Sequence, residues 1–114
     1  DIMAPAGTPI LAAAPGRVEK LFQSARGGTT LYIRSPDGRW IYYYAHLSGY
    51  TPGISAGQAV KAGQTIAYVG DTGDAGAGNF HLHFGLQRMS PGERWYQGED
   101  VNPFPMLARR GAPR

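Results

Sequence analysis

Turn-forming residues recur so often in this chain that they leave room for little except short strands. The 114 residues include 17 glycines and nine prolines, and turn pairs such as Pro15-Gly16, Pro52-Gly53 and Ala62-Gly63 follow one another closely. Glycine and proline interrupt regular helices and favour tight turns. No amphipathic helix of useful length is visible between them. The pattern therefore predicts an all-β fold of short strands and long loops, with no sizeable helix.

The clearest pair of strands surrounds the turn Pro36-Asp37-Gly38. The run before it, residues 29–34, alternates well, and the run after it, residues 40–46, is rich in β-branched and aromatic residues. Such a turn between two β-rich runs predicts a β-hairpin. Alternation along the return strand places three side chains on one face: Tyr42, Tyr44 and His46. His46 at the strand end is well placed for chemistry, and a surface histidine beside an aromatic cluster is the alternative interpretation.

Two of the three histidines lie in the segment Asn79-Phe80-His81-Leu82-His83-Phe84. Residues i and i+2 of a strand point to the same face, so His81 and His83 are expected roughly 6–7 Å apart at their Cα atoms, with Leu82 and Phe84 towards the core. Two imidazoles on one wall can share a metal, or divide metal binding and acid–base work between them. Two ordinary histidines on a half-buried strand remain the alternative.

Composition narrows the class of protein only in part. A chain of 114 residues without cysteine is expected to be one domain that needs neither a disulfide nor a zinc–thiolate site. A net charge of +3 is too diffuse to indicate a nucleic-acid partner, and none is expected. No stretch of the sequence is long and apolar enough to span a bilayer.

Four segments in this order and spacing resemble the lysostaphin/LytM-type peptidases, the M23 family of zinc endopeptidases. They are residues 1–9, Tyr44-Ala45-His46-Leu47, residues 60–73 and His81-Leu82-His83-Phe84. The resemblance extends to about Pro103 and so covers nearly the whole chain. It implies a mostly antiparallel β-sheet folded over a groove. We expect an M23-like domain over residues 1–107 and a basic C-terminal tail over residues 108–114.

The resemblance also implies a chemistry for the matching residues. Asp1 and His83 resemble zinc ligands, and His46 and His81 resemble the catalytic pair that positions the attacking water, takes its proton and stabilises the oxyanion. The implied activity is a Zn²⁺-dependent endopeptidase that uses zinc-activated water to cleave the peptide cross-links of bacterial peptidoglycan. General zinc chemistry fits these roles, because a catalytic zinc takes three protein ligands and one water.

Two departures from the family pattern leave alternatives open. The histidine with which the family's first motif begins would lie upstream of Asp1, and Gly85 stands where many relatives carry a carboxylate. Either upstream residues supply the histidine, which is the interpretation we favour, or the chain is a degenerate, non-catalytic relative. Such a relative would bind peptidoglycan or regulate a cell-wall hydrolase.

Other interpretations of single segments are weaker. Residues 57–70 also look like the short-strand motif of lipoyl, biotinyl or phosphotransferase carriers, but Lys61 lacks the Met-Lys-Met type of hairpin tip. Asp71 and Asp74 lie in a glycine-rich loop, where they could bind a cation but are more often turn formers.

Location and partners follow from the resemblance alone. A cell-wall substrate implies a periplasmic or secreted protein of the cell envelope. The expected partners are peptidoglycan peptide stems or cross-bridges, together with a partner hydrolase or an upstream inhibitory segment.

Overall fold

A computed structural model describes residues 2–101 of the chain. The predicted ligand Asp1, the end of the predicted domain and the predicted tail over residues 108–114 lie outside the described residues. Within residues 2–101 the chain forms nine strands and one short 3-10 turn at Gly73–Ala75. The strands are β1 (Ile2–Met3), β2 (Pro9–Leu11), β3 (Gly16–Ser24), β4 (Gly28–Arg34), β5 (Trp40–Tyr50), β6 (Ala59–Val60), β7 (Thr65–Val69), β8 (His81–Arg88) and β9 (Glu99–Val101).

All strand pairs are antiparallel. The main path of the sheet runs β1-β8-β5-β4-β3-β6, while β7 pairs with β2 and β5, and β9 pairs with β8. The predicted hairpin is confirmed, because β4 and β5 pair across the turn at residues 35–39. In that turn the Ser35 hydroxyl and the Arg39 backbone N–H both donate to the Asp37 carboxylate. The all-β prediction is confirmed as well.

The core consists of the alternate side chains that the strands turn to one side. Among the fully buried side chains are Leu31, Ile33, Tyr44, Leu47 and Ile66. They come from β4, β5 and β7, so the hydrophobic effect holds together strands that are distant in sequence.

Strand β5 positions the functional site, because it is long enough to pair with two different neighbours on one edge. Its first part, residues 40–45, pairs with β8, and its last part, residues 47–50, pairs with β7. The irregular segment between β7 and β8 therefore lies beside β5 at His46. In the part of the chain that the structure describes, no helix is long and apolar enough to span a membrane.

Candidate functional site

The three histidines of the chain meet on one side of strands β5 and β8. The ring centroid of His46 lies 4.8 Å from that of His81 and 6.1 Å from that of His83. Leu82 and Phe84 belong to the hydrophobic core, which confirms the predicted division of β8 into a core face and a histidine face. His81 and His46 are buried, at 6% and 8% exposure, while His83 is exposed.

A β-bulge places His46 in this cluster. Leu31 pairs with Tyr44 and Thr29 pairs with Leu47, so Ala45 and His46 lie together opposite the single residue between them on β4. The backbone of His46 has φ 62°, in the left-handed region. A bulge adds one residue and re-aims a side chain. The prediction that His46 shares the face of Tyr42 and Tyr44 is therefore wrong: both tyrosines point into the core, and His46 joins the groove.

The turn before β4 holds the bulge from one side. The His46 backbone N–H donates to the Gly27 carbonyl oxygen at 2.7 Å. A side chain at Gly27 would collide with the hydroxyl of Tyr43. Gly28 has φ 70°, and a Cβ there would overlap the backbone of Thr72 and Gly73. These two glycines therefore let the β3–β4 turn approach both the bulge and the loop before β8.

Thr72 holds the bulge from the other side. The His46 Nδ1–H donates to the Thr72 carbonyl oxygen at 2.7 Å. The Thr72 hydroxyl donates to the Leu47 carbonyl at 2.7 Å and accepts the Thr29 N–H at 3.1 Å. One residue thus fixes the orientation of the His46 ring and joins β4 to β5. Sequence reasoning missed Thr72, and nothing in its local pattern distinguishes it from other threonines in loops.

His46 and His81 hold the same tautomer for the same reason. His81 Nδ1–H donates to the Asn79 carbonyl oxygen at 3.0 Å. A carbonyl oxygen only accepts hydrogen bonds, so in each neutral ring the proton is assigned to Nδ1 and the lone pair to Nε2. This is the arrangement in which backbone acceptors fix imidazoles that bind metals or move protons.

Charged side chains lie at the mouth of the histidine cluster. Asp74 Oδ1 is 3.8 Å from His46 Nε2, and the Asp74 backbone N–H donates to the Arg26 carbonyl at 2.8 Å. Asp71 accepts the Gly78 N–H at 2.8 Å, which fits its predicted role as a turn former. Within residues 2–101, no group of three histidine, cysteine or acidic residues is placed to hold a metal ion.

His83 lies at the edge of an aromatic cluster. The Tyr43 ring makes an edge contact with His83, with centroids 5.9 Å apart. Burial lowers the pKa of His83 and the charge of His81 lowers it further, whereas Asp100 and Asp74 raise it. The net direction favours the neutral imidazole, the form that binds metals. The pKa of the neighbouring Tyr32 is raised well above its ordinary value. Burial is the largest cause, and the charge of Tyr43 and the hydrogen bond between the two tyrosines raise it further.

An open hollow of about 290 Å³ lies at the histidine cluster, and its wall includes Arg26, Tyr43, His46, Asp74 and His83. A larger hollow of about 750 Å³ lies beside the β4–β5 turn and is lined by arginines and Trp40 rather than by histidines. We place the candidate site in the smaller hollow because His46, Asp74 and His83 converge there. The structure thus brings together His46, His81 and His83 of the predicted site residues, and Asp1 lies outside the described residues.

Comparisons with known proteins point to one family. The family model described as Peptidase family M23 matches residues 1–103. The chain is 35% identical over 112 residues to the L-Ala--D-Glu endopeptidase of Bacillus subtilis (strain 168), covering 94% of this chain and 33% of that protein. It is 34% identical over 110 residues to the murein hydrolase activator NlpD of Escherichia coli (strain K12), covering 96% of this chain and 26% of that protein.

Solved structures show the same fold. The catalytic domain of lysostaphin from Staphylococcus simulans matches with a TM-score of 0.76 at 32% identity, over 92% of this chain and 74% of that chain. A zinc containing peptidase from Vibrio cholerae matches with a TM-score of 0.67 at 28% identity, over 85% of this chain and 26% of that chain.

The family model matches the chain from its first residue to Pro103, and the resemblance inferred from the motifs is confirmed. The chain spans a third or less of the length of the two curated relatives. The chain belongs to peptidase family M23.

Proposed function

We propose that this chain is a zinc-dependent endopeptidase domain that cleaves peptide cross-links of bacterial peptidoglycan. The observation that carries the proposal is the pair of buried imidazoles, His46 and His81, fixed by backbone carbonyls beside His83 in an open groove. Relatives named as endopeptidases support the reaction class. A peptide chain also fits an open groove better than it fits a closed cavity.

The two fixed imidazoles supply the proton chemistry. Each presents a lone pair on Nε2, so either can take a proton from a water that attacks the scissile carbonyl. As His46 becomes an imidazolium, the Thr72 carbonyl continues to accept its Nδ1–H, and Asp74 at 3.8 Å favours the positive charge. The protonated ring can then donate to the oxyanion or to the leaving amine.

The chemistry of His83 suits a zinc ligand. An exposed imidazole with a lowered pKa, as at His83, is a suitable ligand, and we assign the second ligand to Asp1. When bound, zinc lowers the pKa of a coordinated water and polarises the scissile carbonyl. The solved relative named as a zinc containing peptidase supports this assignment.

The activity test uses purified full-length protein loaded with zinc, isolated peptidoglycan and mass spectrometry of the released peptides. We expect new peptide termini with wild-type protein and none with His46→Ala. The variant His46→Asn is included because asparagine tolerates a left-handed φ, so it separates the loss of the imidazole from backbone strain. An active His46→Asn protein would remove His46 from the mechanism.

The metal assignment has an independent readout. Native mass spectrometry of the full-length protein is expected to show one bound zinc. His83→Ala should lose this zinc, while His46→Asn should retain it, because we assign His46 to proton transfer and not to metal binding. Stoichiometric zinc in His83→Ala would contradict the role of His83.

A non-catalytic regulator is the second candidate. The observation that favours it is the 34% identity to a murein hydrolase activator over 96% of this chain. The same experiments separate the two functions. A regulator would release no peptides and retain no zinc, but would increase peptidoglycan release by an added cell-wall hydrolase.

The proposed substrate also sets the proposed location. Peptidoglycan lies outside the cytoplasmic membrane, so we propose an extracytoplasmic site of action, periplasmic or secreted. A relative named as a lipoprotein, 35% identical over 98% of this chain, supports a place in the cell envelope.

A further inference from the structure

Aromatic rings continue from the histidine cluster across the face of the sheet opposite the core. Strands β8, β5, β4 and β3 are neighbours in that order, and they contribute His83, Tyr43, Tyr32 and Phe22 to this face. The Tyr43 ring centroid is 5.9 Å from that of His83 and 4.8 Å from that of Tyr32. Alternation along each strand turns these rings away from the core, so they form a row that starts at the candidate site.

Trp95 lies at the far end of this row. Its ring centroid is 4.6 Å from that of Tyr32 and 5.4 Å from that of Phe22. The neighbouring Tyr96 ring is 5.2 Å away with its plane at 83° to that of Trp95, so the two rings form a corner. Tyr96 is 58% exposed and Phe22 is 39% exposed, while Trp95 is half-buried. Ring surface is therefore open to a ligand at this corner.

The five rings of this aromatic cluster do not serve the hydrophobic core. They are Phe22, Tyr32, Tyr43, Trp95 and Tyr96, and within residues 2–101 none of them belongs to the core or to the side chains packed against it. Single apolar residues on a surface need no explanation, whereas contiguous groups mark interaction sites. Tyrosine and tryptophan suit such sites because they combine a large apolar ring with a polar tip.

An open hollow connects the aromatic cluster to the histidines. It measures about 470 Å³, and its wall includes Tyr32, Tyr43 and His83. Tyr43 and His83 also line the smaller hollow of the candidate site. A substrate peptide that lies across His83 can therefore extend along the two tyrosines towards Trp95.

The length of this path matches a short peptide. The centroid distances along the row place the Trp95 ring no more than about 15 Å from that of His83, and four residues of extended peptide span about 13–14 Å. In peptidoglycan, short peptide stems join the cross-links to chains of amino sugars. A stem whose cross-link lies at the histidines therefore places its sugar end beside Trp95.

We propose that Phe22, Trp95 and Tyr96 form a sugar surface, which binds the peptidoglycan sugar to which the substrate stem is attached. A pyranose ring has C–H groups on its faces and polar groups at its edge, so it can pack on an aromatic ring while its edge stays solvated. The exposed Lys20 lies two positions before Phe22 on β3 and pairs with Tyr32 of β4, and its ammonium can donate to the acetamido oxygen of the sugar. The sugar surface rests on the proposed ligand, peptidoglycan, and applies to either candidate function.

The test compares two ligands that differ only in the sugar. One is a stem peptide that carries the disaccharide of N-acetylglucosamine and N-acetylmuramic acid, and the other is the same peptide with an N-acetyl cap. Full-length His46→Asn protein is titrated by NMR, because this variant is expected to leave both ligands uncut. We expect the disaccharide ligand to bind about fivefold more tightly, the size of one aromatic contact. Equal affinities would overturn the proposal.

The two tryptophans of the chain provide an internal control in the same titration. The indole N–H signal of Trp95 should shift when the disaccharide ligand binds. The signal of Trp40, which lies beside the β4–β5 turn and outside the aromatic cluster, should stay in place. Trp40→Phe assigns the two signals. A Trp95 signal that does not move while the ligand binds would overturn the proposal.

Tyr96→Ala removes the most exposed ring and should reduce the preference for the disaccharide ligand to less than about twofold. The matched control is Tyr68→Ala: Tyr68 is a partly exposed tyrosine of β7 that lines neither hollow, so the preference should persist. If the rings only hold residues 89–98 on the sheet, Tyr96→Ala will lower stability and leave the preference unchanged, which would contradict the sugar surface. A dimer of the full-length protein that Tyr96→Ala dissociates would assign the rings to a second copy and would also contradict it.

The titration does not depend on hydrolysis. If wild-type protein releases no peptides from peptidoglycan but the preference for the disaccharide ligand depends on Tyr96, the proposed peptidase activity fails while the sugar surface stands. If peptides are released and the preference is absent, the sugar surface fails and the activity stands.

Discussion

Replacing Thr72 by valine isolates the hydrogen bonds that hold the bulge at His46. Valine has nearly the shape of threonine but lacks the hydroxyl, so the Leu47 carbonyl loses a donor at 2.7 Å and the Thr29 N–H loses an acceptor at 3.1 Å. Leaving a buried partner unpaired costs about 1–3 kcal/mol. Both groups are only partly buried, so the total should be about 2–3 kcal/mol. For a domain of this size that corresponds to roughly 8–15 °C in melting temperature.

Thermal and urea unfolding followed by circular dichroism measure this loss directly. Thr72→Ser is the matched control, because it retains the hydroxyl and should lose less than about 1 kcal/mol. A second readout is the ¹⁵N shift pattern of the His46 ring, which reports whether Nδ1 carries the proton. We expect a shift away from the Nδ1–H tautomer in Thr72→Val, since the carbonyl that accepts this proton is no longer held. A Thr72→Val protein with wild-type stability and an unchanged tautomer would refute the reasoning.

Two further predictions concern stability. Gly28→Ala should lower the free energy of unfolding by more than about 2 kcal/mol, because a left-handed φ is combined with a backbone overlap. The control is Gly38→Ala, at a glycine with φ 75° and no atom within 4 Å of the added Cβ, which should lose only about 1–2 kcal/mol. Equal losses in urea unfolding would show that the close approach at Gly28 does not matter. The bonds from the Ser35 hydroxyl and the Arg39 N–H lower the pKa of Asp37 below its ordinary 3.8. The ionised Asp37 carboxylate therefore stabilises the fold above pH 3.8, and this stabilisation is lost as the pH falls through the lowered pKa. The difference in stability between wild type and Asp37→Ala should shrink over this range. A difference that stays constant with pH would contradict the linkage.

The sequence by itself determined the elements whose cause is local. Glycine and proline set the turns, the residues Pro36-Asp37-Gly38 gave the hairpin, and alternation at Leu82 and Phe84 separated the core from the histidine face. These features depend on neighbours within a few positions, because strand periodicity and turn chemistry are local properties of the backbone. The family resemblance depended on the same short segments and their order.

Only the tertiary structure decided how His46 reaches the other two histidines. A bulge is a mismatch in residue count between β5 and β4, so it cannot be read from the alternation of β5 alone, and alternation predicted the wrong face. Thr72 acquires its role from contacts 25, 26 and 43 positions away along the chain. A side-chain hydrogen bond likewise joins Gln87 of β8 to Asp100 of β9. Periodicity along one strand assigns faces, but the contacts that position these side chains arise only when distant segments pack together.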